Sequence, residues 1–256
     1  MNKDSSLKSN KAKLIILICG DSKTGKHSIV NEIIKDKDVT KTELSSFQSI
    51  LFDHEEVIGK SKISIPIELR ILGSDQLDTE LKMNKTFFAE ALGAFVVNSI
   101  TDNNSFTNGE KWKDKIDLMC CLPNRFPLPI FLIINKCDLV IDENENKQNL
   151  QYLQRDKIET YSSENQFFDT FLLGKGYGNE NIINSEKENK INLSNNKDEN
   201  IKNLIVSPIR PFQEMIKSIM SFKDIRNKFI IQSGGTIDDR EIEGRNQNNN
   251  KKCIIY

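Results

Sequence analysis

The sequence predicts an α/β domain built on a mostly parallel sheet covered by helices on both faces. Three observations predict it. Residues 14–19, 93–97 and 129–134 are apolar runs without alternation, the pattern of strands buried on both faces. Segments with apolar residues at helical spacing lie between and after these runs. Strands that alternate with helices pair in parallel, because each crossover needs a helix to return the chain to the same end of the sheet.

Each element follows in order. Leu14 to Cys19 is the first strand, ended by Gly20. A helix is expected over 26–35, where Ile29, Val30, Ile33 and Ile34 form one stripe. Two strands are expected at 47–53 and 63–72, joined by a charged, Gly-containing link at 54–62 that suits a hairpin. Residues 87–92 read as the end of a helix, and 93–97 as a strand. Thr107 and Glu110 stand at capping-box spacing, with Trp112, Ile116 and Met119 or Cys120 on one face behind them. Residues 129–134 form the next strand. Leu150, Leu153 and Tyr161 suggest a helix, and 167–173 a final strand. Pro211 stands where a helix can begin, and Phe212, Ile216, Ile219 and Met220 share its face.

Composition narrows the function classes. With 36 basic and 37 acidic residues the net charge is −1, which removes the overall electrostatic case for nucleic acid. The five cysteines (Cys19, Cys120, Cys121, Cys137, Cys253) contain no CxxC pair, so neither a disulfide framework nor a zinc site is expected. No apolar run approaches the ~18 residues of a membrane-spanning helix. Residues 1–12 are polar and the run behind them is too short for a signal-peptide core, so an intracellular soluble protein is expected. Nine of the 28 asparagines fall within residues 179–203, which carry no sustained period and read as disordered. The expected organisation is a disordered arm at 1–12, one domain at 13–222 interrupted by an Asn-rich insertion at about 176–205, and a flexible tail at 223–256.

Two motifs carry chemistry. Gly20-Asp21-Ser22-Lys23-Thr24-Gly25-Lys26-His27-Ser28 follows a buried strand and opens a helix, the context of a phosphate-binding loop. Successive backbone N–H groups and the helix N-terminus point at phosphate oxygens there, and Lys26 adds a mobile positive charge. His27 stands where a Ser or Thr hydroxyl would ligate magnesium, and an imidazole is a poor replacement for a hard oxygen. A helix-surface histidine is the plainer reading. Ser28 comes one position later, about 100° around the helix. The second motif is Asn135-Lys136-Cys137-Asp138, directly after a strand. A carboxylate at a strand's carboxyl end can accept two hydrogen bonds from guanine N1–H and the 2-amino group, an amide can bond N7, and a lysine stem can lie against the ring.

In this order and spacing the motifs resemble the Ras superfamily of small GTPases, and within it the Rab family. The best-matching stretch is residues 87–138, with its Gly93-Ala-Phe-Val-Val97 strand, Lys111-Trp112 helix, Leu122-Pro-Asn124 turn and Asn135-Lys-Cys-Asp138 motif. It is most similar to the Rab subgroup linked to lysosome-related organelles. The resemblance covers about residues 13–175 and 206–222. It implies a P-loop NTPase fold of the small G-domain type, a six-stranded sheet with about five helices. It also implies GTP/GDP with Mg²⁺ as cofactors, a monomer, and effectors, an exchange factor and an activating protein as partners.

The same alignment shows departures. The family's DxxGQ segment falls on residues 73–77, placing Gly73 at the second magnesium position, Gln76 at the γ-phosphate glycine and Leu77 at the catalytic glutamine. A shift of one or two residues would bring Asp75 or Gln76 nearer those roles, whereas a solvated loop is the plainer reading. Thr42, or alternatively Thr40, is the candidate switch threonine. Lys23 fills a loop position that is normally glycine. The last guanine-contacting motif maps onto residues 169–173, where the backbone N–H of Leu172 could serve. Phosphoryl transfer in such proteins rests on placed charges, and of these Lys26 remains, so intrinsic hydrolysis is expected to be weak and no catalytic residue is assigned. A static pseudo-GTPase module is the alternative, and a P-loop ATPase or small-molecule kinase is disfavoured by Asn135 to Asp138. The chain ends Cys253-Ile254-Ile255-Tyr256, which fits a prenylation box that could tie a cytoplasmic protein reversibly to the cytosolic face of endomembranes; an incidental terminal cysteine is the other reading.

Overall fold

The computed structural model describes residues 12–44, 47–58, 61–72, 85–102, 104–141, 155–175 and 204–234. Residues 1–11, 73–84 and 235–256 and all but the last two residues of the expected insertion lie outside them, and with them Gly73, Asp75, Gln76, Leu77 and Cys253.

The chain runs β1 (Leu14–Cys19), α1 (Lys26–Ile33), β2 (Thr40–Glu43), β3 (Phe47–Ile58), β4 (Ser61–Leu72), α2 (Lys85–Phe88), β5 (Ala91–Ser99) and α3 (Asn104–Met119). It continues through β6 (Ile130–Asn135), α4 (Asp138–Ile141), α5 (Arg155–Glu164), β7 (Asp169–Leu173), β8 (Ile205–Val206), α6 (Ile209–Met220) and α7 (Lys223–Gln232). The strands form one sheet in the order β2-β3-β4-β1-β5-β6-β7-β8. All pairs from β4 to β8 are parallel, and the β2–β3 and β3–β4 pairs antiparallel. The six longer strands are those expected; β2 and β8 are short additions at the two edges.

Every residue of β1 is buried, because the strand sits inside the sheet with helices on both sides. Alternation along β5 shows the two layers. Gly93 faces α6 so closely that a Cβ there would sit 2.5 Å from Met215 Sδ, whereas Asn98, five residues on and therefore on the other face, lies against Gly109 of α3. Trp112, Phe131, Leu17 and Ile67 are among the fully buried side chains. Each such side chain contributes about 1.5–3 kcal/mol on leaving water.

Three sequence expectations need correction. Helix α3 begins before Thr107, because Asp102 caps it: its carboxylate accepts the Asn104 N–H at 3.0 Å, and its carbonyl accepts the Ser105 N–H at 3.1 Å. The charged link at 54–62 is largely strand, since β3 and β4 remain paired from Phe47↔Leu72 to Ile58↔Ser61. The segment from Lys223 is not tail at its start. It forms α7, whose Ile225, Phe229 and Ile230 are buried, and Gln232 exchanges hydrogen bonds with the backbone of Ala12. No helix among the described residues is long and apolar enough to cross a membrane.

A cluster between β3 and α6 makes stability sensitive to acid. The His54 ring meets Phe212 edge-on at 5.6 Å, and the Lys37 ammonium lies over the rings of Phe52 and Phe212 at 4.8 and 5.7 Å. Burial and then the Lys37 charge hold His54 below its ordinary pKa of 6.5, against the opposing pull of Glu56 3.3 Å away. The unfolded chain therefore takes up this proton more readily than the folded one. Stability is full above the unfolded value and is lost as pH falls through it. Urea unfolding on either side of about pH 6.5 is expected to show a smaller acid loss in His54→Phe than in the wild type.

Candidate functional site

The site begins where β1 ends. Gly20 leaves the strand with φ +139°, and a Cβ there would lie 2.2 Å from the Val97 carbonyl oxygen of β5. Only a residue without a side chain lets the loop pass this strand. Lys23 (φ 60°) and Gly25 (φ 96°) both turn left-handed. Gly25 then precedes α1 with no side-chain cap, leaving first-turn N–H groups directed out of the helix end. Lys26 is buried, and its ammonium donates to the carbonyls of Gly20 at 2.7 Å and Asp21 at 2.6 Å. Thr24 is buried too, its hydroxyl donating to Asp21 O at 3.0 Å. From α3, Asn108 donates to the Asp21 carboxylate at 2.7 Å, fixing the outer side of the loop.

Lys23 is an exposed side chain held in a glycine conformation. A β-carbon in the left-handed region costs about 1–2 kcal/mol, against which the greater freedom of unfolded glycine sets roughly 0.5–1 kcal/mol. Lys23→Gly is therefore expected to stabilise the protein by about 0.5–1 kcal/mol, read as a raised urea midpoint with unchanged slope.

The second motif docks onto the first. Asn135, the last residue of β6, donates from Nδ2 to the Thr24 carbonyl at 2.8 Å, and a Cβ on Gly25 would lie 2.2 Å from that same nitrogen. Residues 111 apart in sequence are thus joined directly. Lys136 follows with φ 65°, and Cys137 turns inward, its N–H donating to Leu173 O at 2.9 Å and its thiol to Ile134 O at 3.3 Å. Burial, then the Asp138 charge, push this thiol up to about 12, so it is a packing group and not a nucleophile. Asp138 opens α4 beside Gly174, where a Cβ would come within 2.9 Å of the Asp138 nitrogen and 3.2 Å of its Oδ1.

These walls enclose a cleft of about 1190 Å³, lined on one side by Gly25, Ser28, Asn135, Lys136 and Asp138 and on the other by the start of α6. Leu173, Gly174 and Lys175 close its end. Of the expected site residues, the structure brings together the phosphate loop and Asn135, Lys136 and Asp138. Ser22 and Lys23 sit exposed at the loop's outer turn, and Ser28 is an exposed residue on the cleft wall.

Two candidates lie elsewhere. Thr42 is exposed on β2, opposite Ser49 at the sheet's far edge, and Thr40 pairs with Leu51 beside it. The β-branched threonines of residues 40–43 form a ladder with β3 instead of reaching the phosphate loop. Leu172 is inside β7, flanked by Ile134 and Ile205, and does not line the cleft. The backbone that faces Asp138 is Gly174, two residues later, and with Lys175 it was missed from sequence. The signal was present: Gly174-Lys175 directly follows an apolar strand, as a base-contacting loop should.

Magnesium does not fit the described residues. It takes hard oxygen ligands in a tight octahedron. His27 offers nitrogen in place of a hydroxyl and is exposed. Of the oxygens nearby, Thr24 Oγ1 donates to Asp21 O, the Asp21 carboxylate accepts from Asn108, and Ser28, a hydroxyl on the cleft wall, stands about 100° round α1 from the position after Lys26. No group of three or more His, Cys, Asp or Glu among the described residues is placed to hold a metal ion.

Comparison with known proteins agrees with this geometry. The model of the family described as "Ras family" matches residues 13–170. The chain is 25% identical over 152 residues to human Ras-related protein Rab-7L1, covering 59% of this chain and 68% of that protein. It is 32% identical over 113 residues to mouse Ras-related protein Rab-32, covering 41% of this chain and 51% of that one. It is 28% identical over 126 residues to Rab-32A of Dictyostelium discoideum, covering 48% and 55%. A strand, glycine-bearing loop and helix tied through Asn135 to the Asn135–Asp138 segment, within a family match over residues 13–170, place the chain in the Ras family of small GTPases, related within it to the Rab proteins.

Proposed function

We propose that the protein is a guanine-nucleotide-binding regulator of vesicle traffic of the Rab type, which acts by recruiting effectors and turns GTP over slowly. The observation that carries this reading is the Asn135–Thr24 hydrogen bond, which ties the Asn135–Asp138 segment to the loop before α1, both bordering one cleft at Gly25 and Asn135. In this reading residues 20–26 hold the phosphates, Asn135, Lys136 and Asp138 hold guanine, and the Gly174 backbone replaces Leu172 beside the base. An exchange factor and an activating protein act on a monomer. Prenylation at Cys253 would give reversible attachment to the cytosolic face of endomembranes, in keeping with the subgroup linked to lysosome-related organelles.

The outward-facing His27 favours a second reading, a pseudo-GTPase whose nucleotide is structural. Both predict bound guanine nucleotide, and they separate on chemistry. Protein purified from cells, denatured and run on an anion-exchange column is expected to release GDP or GTP and no adenine nucleotide. Absence of guanine nucleotide, with no binding on titration, removes both readings. In single-turnover assays, measurable GTP cleavage that an activating partner accelerates selects the first reading. No cleavage under either condition selects the second.

A further inference from the structure

We propose that this protein holds guanine nucleotide without help from a divalent cation. The inference rests on the guanine-nucleotide reading above and specifies how the phosphates are held. A metal raises nucleotide affinity only if the protein grips the metal as well as the nucleotide; otherwise free and metal-bound nucleotide compete on equal terms. The grip must come from hard oxygens at the start of α1 and from the loops beside it. The residue that follows Lys26 is His27, whose exposed imidazole offers nitrogen and no hard oxygen.

Ser28 lies on the cleft wall, but about 100° further round α1 than the residue after Lys26. Thr24 Oγ1 is turned back onto Asp21 O, and the Asp21 carboxylate is tied to Asn108 of α3. The threonines of β2 are ladder residues at one edge of the sheet, three strands from β1. Gly73, the other aligned position, has no side-chain oxygen to give.

Other groups are arranged for phosphate. The N-terminus of α1 is uncapped by any side chain, the loop turns left-handed at Lys23 and Gly25, and Lys26 is buried beneath it on two carbonyls. These donors, with the base contacts at Asn135 and Asp138, set the affinity.

The test uses the full chain and fluorescent GDP and GTP, titrated in millimolar Mg²⁺, in millimolar Mn²⁺ and in EDTA. Dissociation constants are expected to agree within about threefold across the three conditions, for the wild type and for His27→Ala alike. His27 is exposed, so the variant is expected to fold. Weakening of more than about tenfold on chelation overturns the inference while leaving the guanine reading intact. A loss confined to Mn²⁺ in His27→Ala also overturns it, by showing the imidazole to be a ligand. No binding of either nucleotide in any condition overturns the guanine reading and the inference together.

Discussion

Asp138→Ala is expected to weaken guanine-nucleotide binding by about 10²–10³-fold. The carboxylate would accept two hydrogen bonds from the base, and hydrogen bonds to a charged group are worth about 1.5–3 kcal/mol each. Together they supply about 3–4 kcal/mol beyond what the remaining contacts provide, and every 1.4 kcal/mol is tenfold. The variant separates recognition from folding. Asp138 opens the four-residue helix α4 and is only partly buried, so its removal leaves the core untouched. Calorimetric titration with GDP and with inosine diphosphate, which lacks the 2-amino group, gives the sharper form of the test. The wild type is expected to prefer GDP, and Asp138→Ala to bind the two alike. Equal preference in the wild type, or unchanged GDP affinity in the variant, would remove Asp138 from the base site.

The centre of the fold was legible because its physics is local. Residues 14–19, 93–97 and 129–134 are apolar on every side chain, which only a strand covered on both faces requires, and they became β1, β5 and β6. That residues 20–28 and Asn135 to Asp138 form two motifs was legible for the same reason, since each pattern needs fixed residue types at fixed offsets, and the structure joins them through Asn135 and Thr24. What escaped depends on tertiary context. The polar residues 54–58 continue as strand only because β4 lies alongside to pair with them. Residues 223–232 look polar in sum, yet Ile225, Phe229 and Ile230 recur at i, i+4 and i+5 and reach the core. Leu172, the residue aligned with the family's base-contacting position, lies inside β7 between Ile134 and Ile205. Burial ends at Leu173, and the chain becomes available to a ligand only at Gly174 and Lys175.

Arg70→Met should cost about 3–5 kcal/mol, the size expected when one partner of a buried ion pair is removed. Arg70 in β4 is buried, and its Nε donates to Glu68 Oε1 at 2.8 Å. Its Nη1 donates to three carbonyls at the end of α2, those of Thr86 at 2.7 Å, Phe87 at 3.0 Å and Ala89 at 2.8 Å. The guanidinium also lies 5.8 Å from the Phe47 ring, which meets Phe87 edge-on. One side chain thus joins β3, β4 and the segment leading into β5. Methionine keeps the stem's packing and removes every donor, leaving the Glu68 carboxylate and three carbonyls short of partners.

Glu68 reports the loss through pH. Its burial alone would raise its pKa, but the Arg70 hydrogen bond and charge, with Ser49 and Lys13, outweigh that and hold it below the ordinary 4.5. In the wild type this carboxylate adds stability that is present above the unfolded pKa and is lost as pH falls through the folded one. Without Arg70 burial dominates, the pKa moves up, and the variant gains relative stability as Glu68 protonates. The cost of Arg70→Met measured by urea unfolding should therefore shrink between neutral pH and about pH 4. Adding Glu68→Gln should recover part of it at neutral pH, because the two residues act as one unit. A neutral-pH cost below about 1 kcal/mol, or one that does not change with pH, would mean that solvent already satisfies these groups and that α2 is held by its aromatic contacts alone.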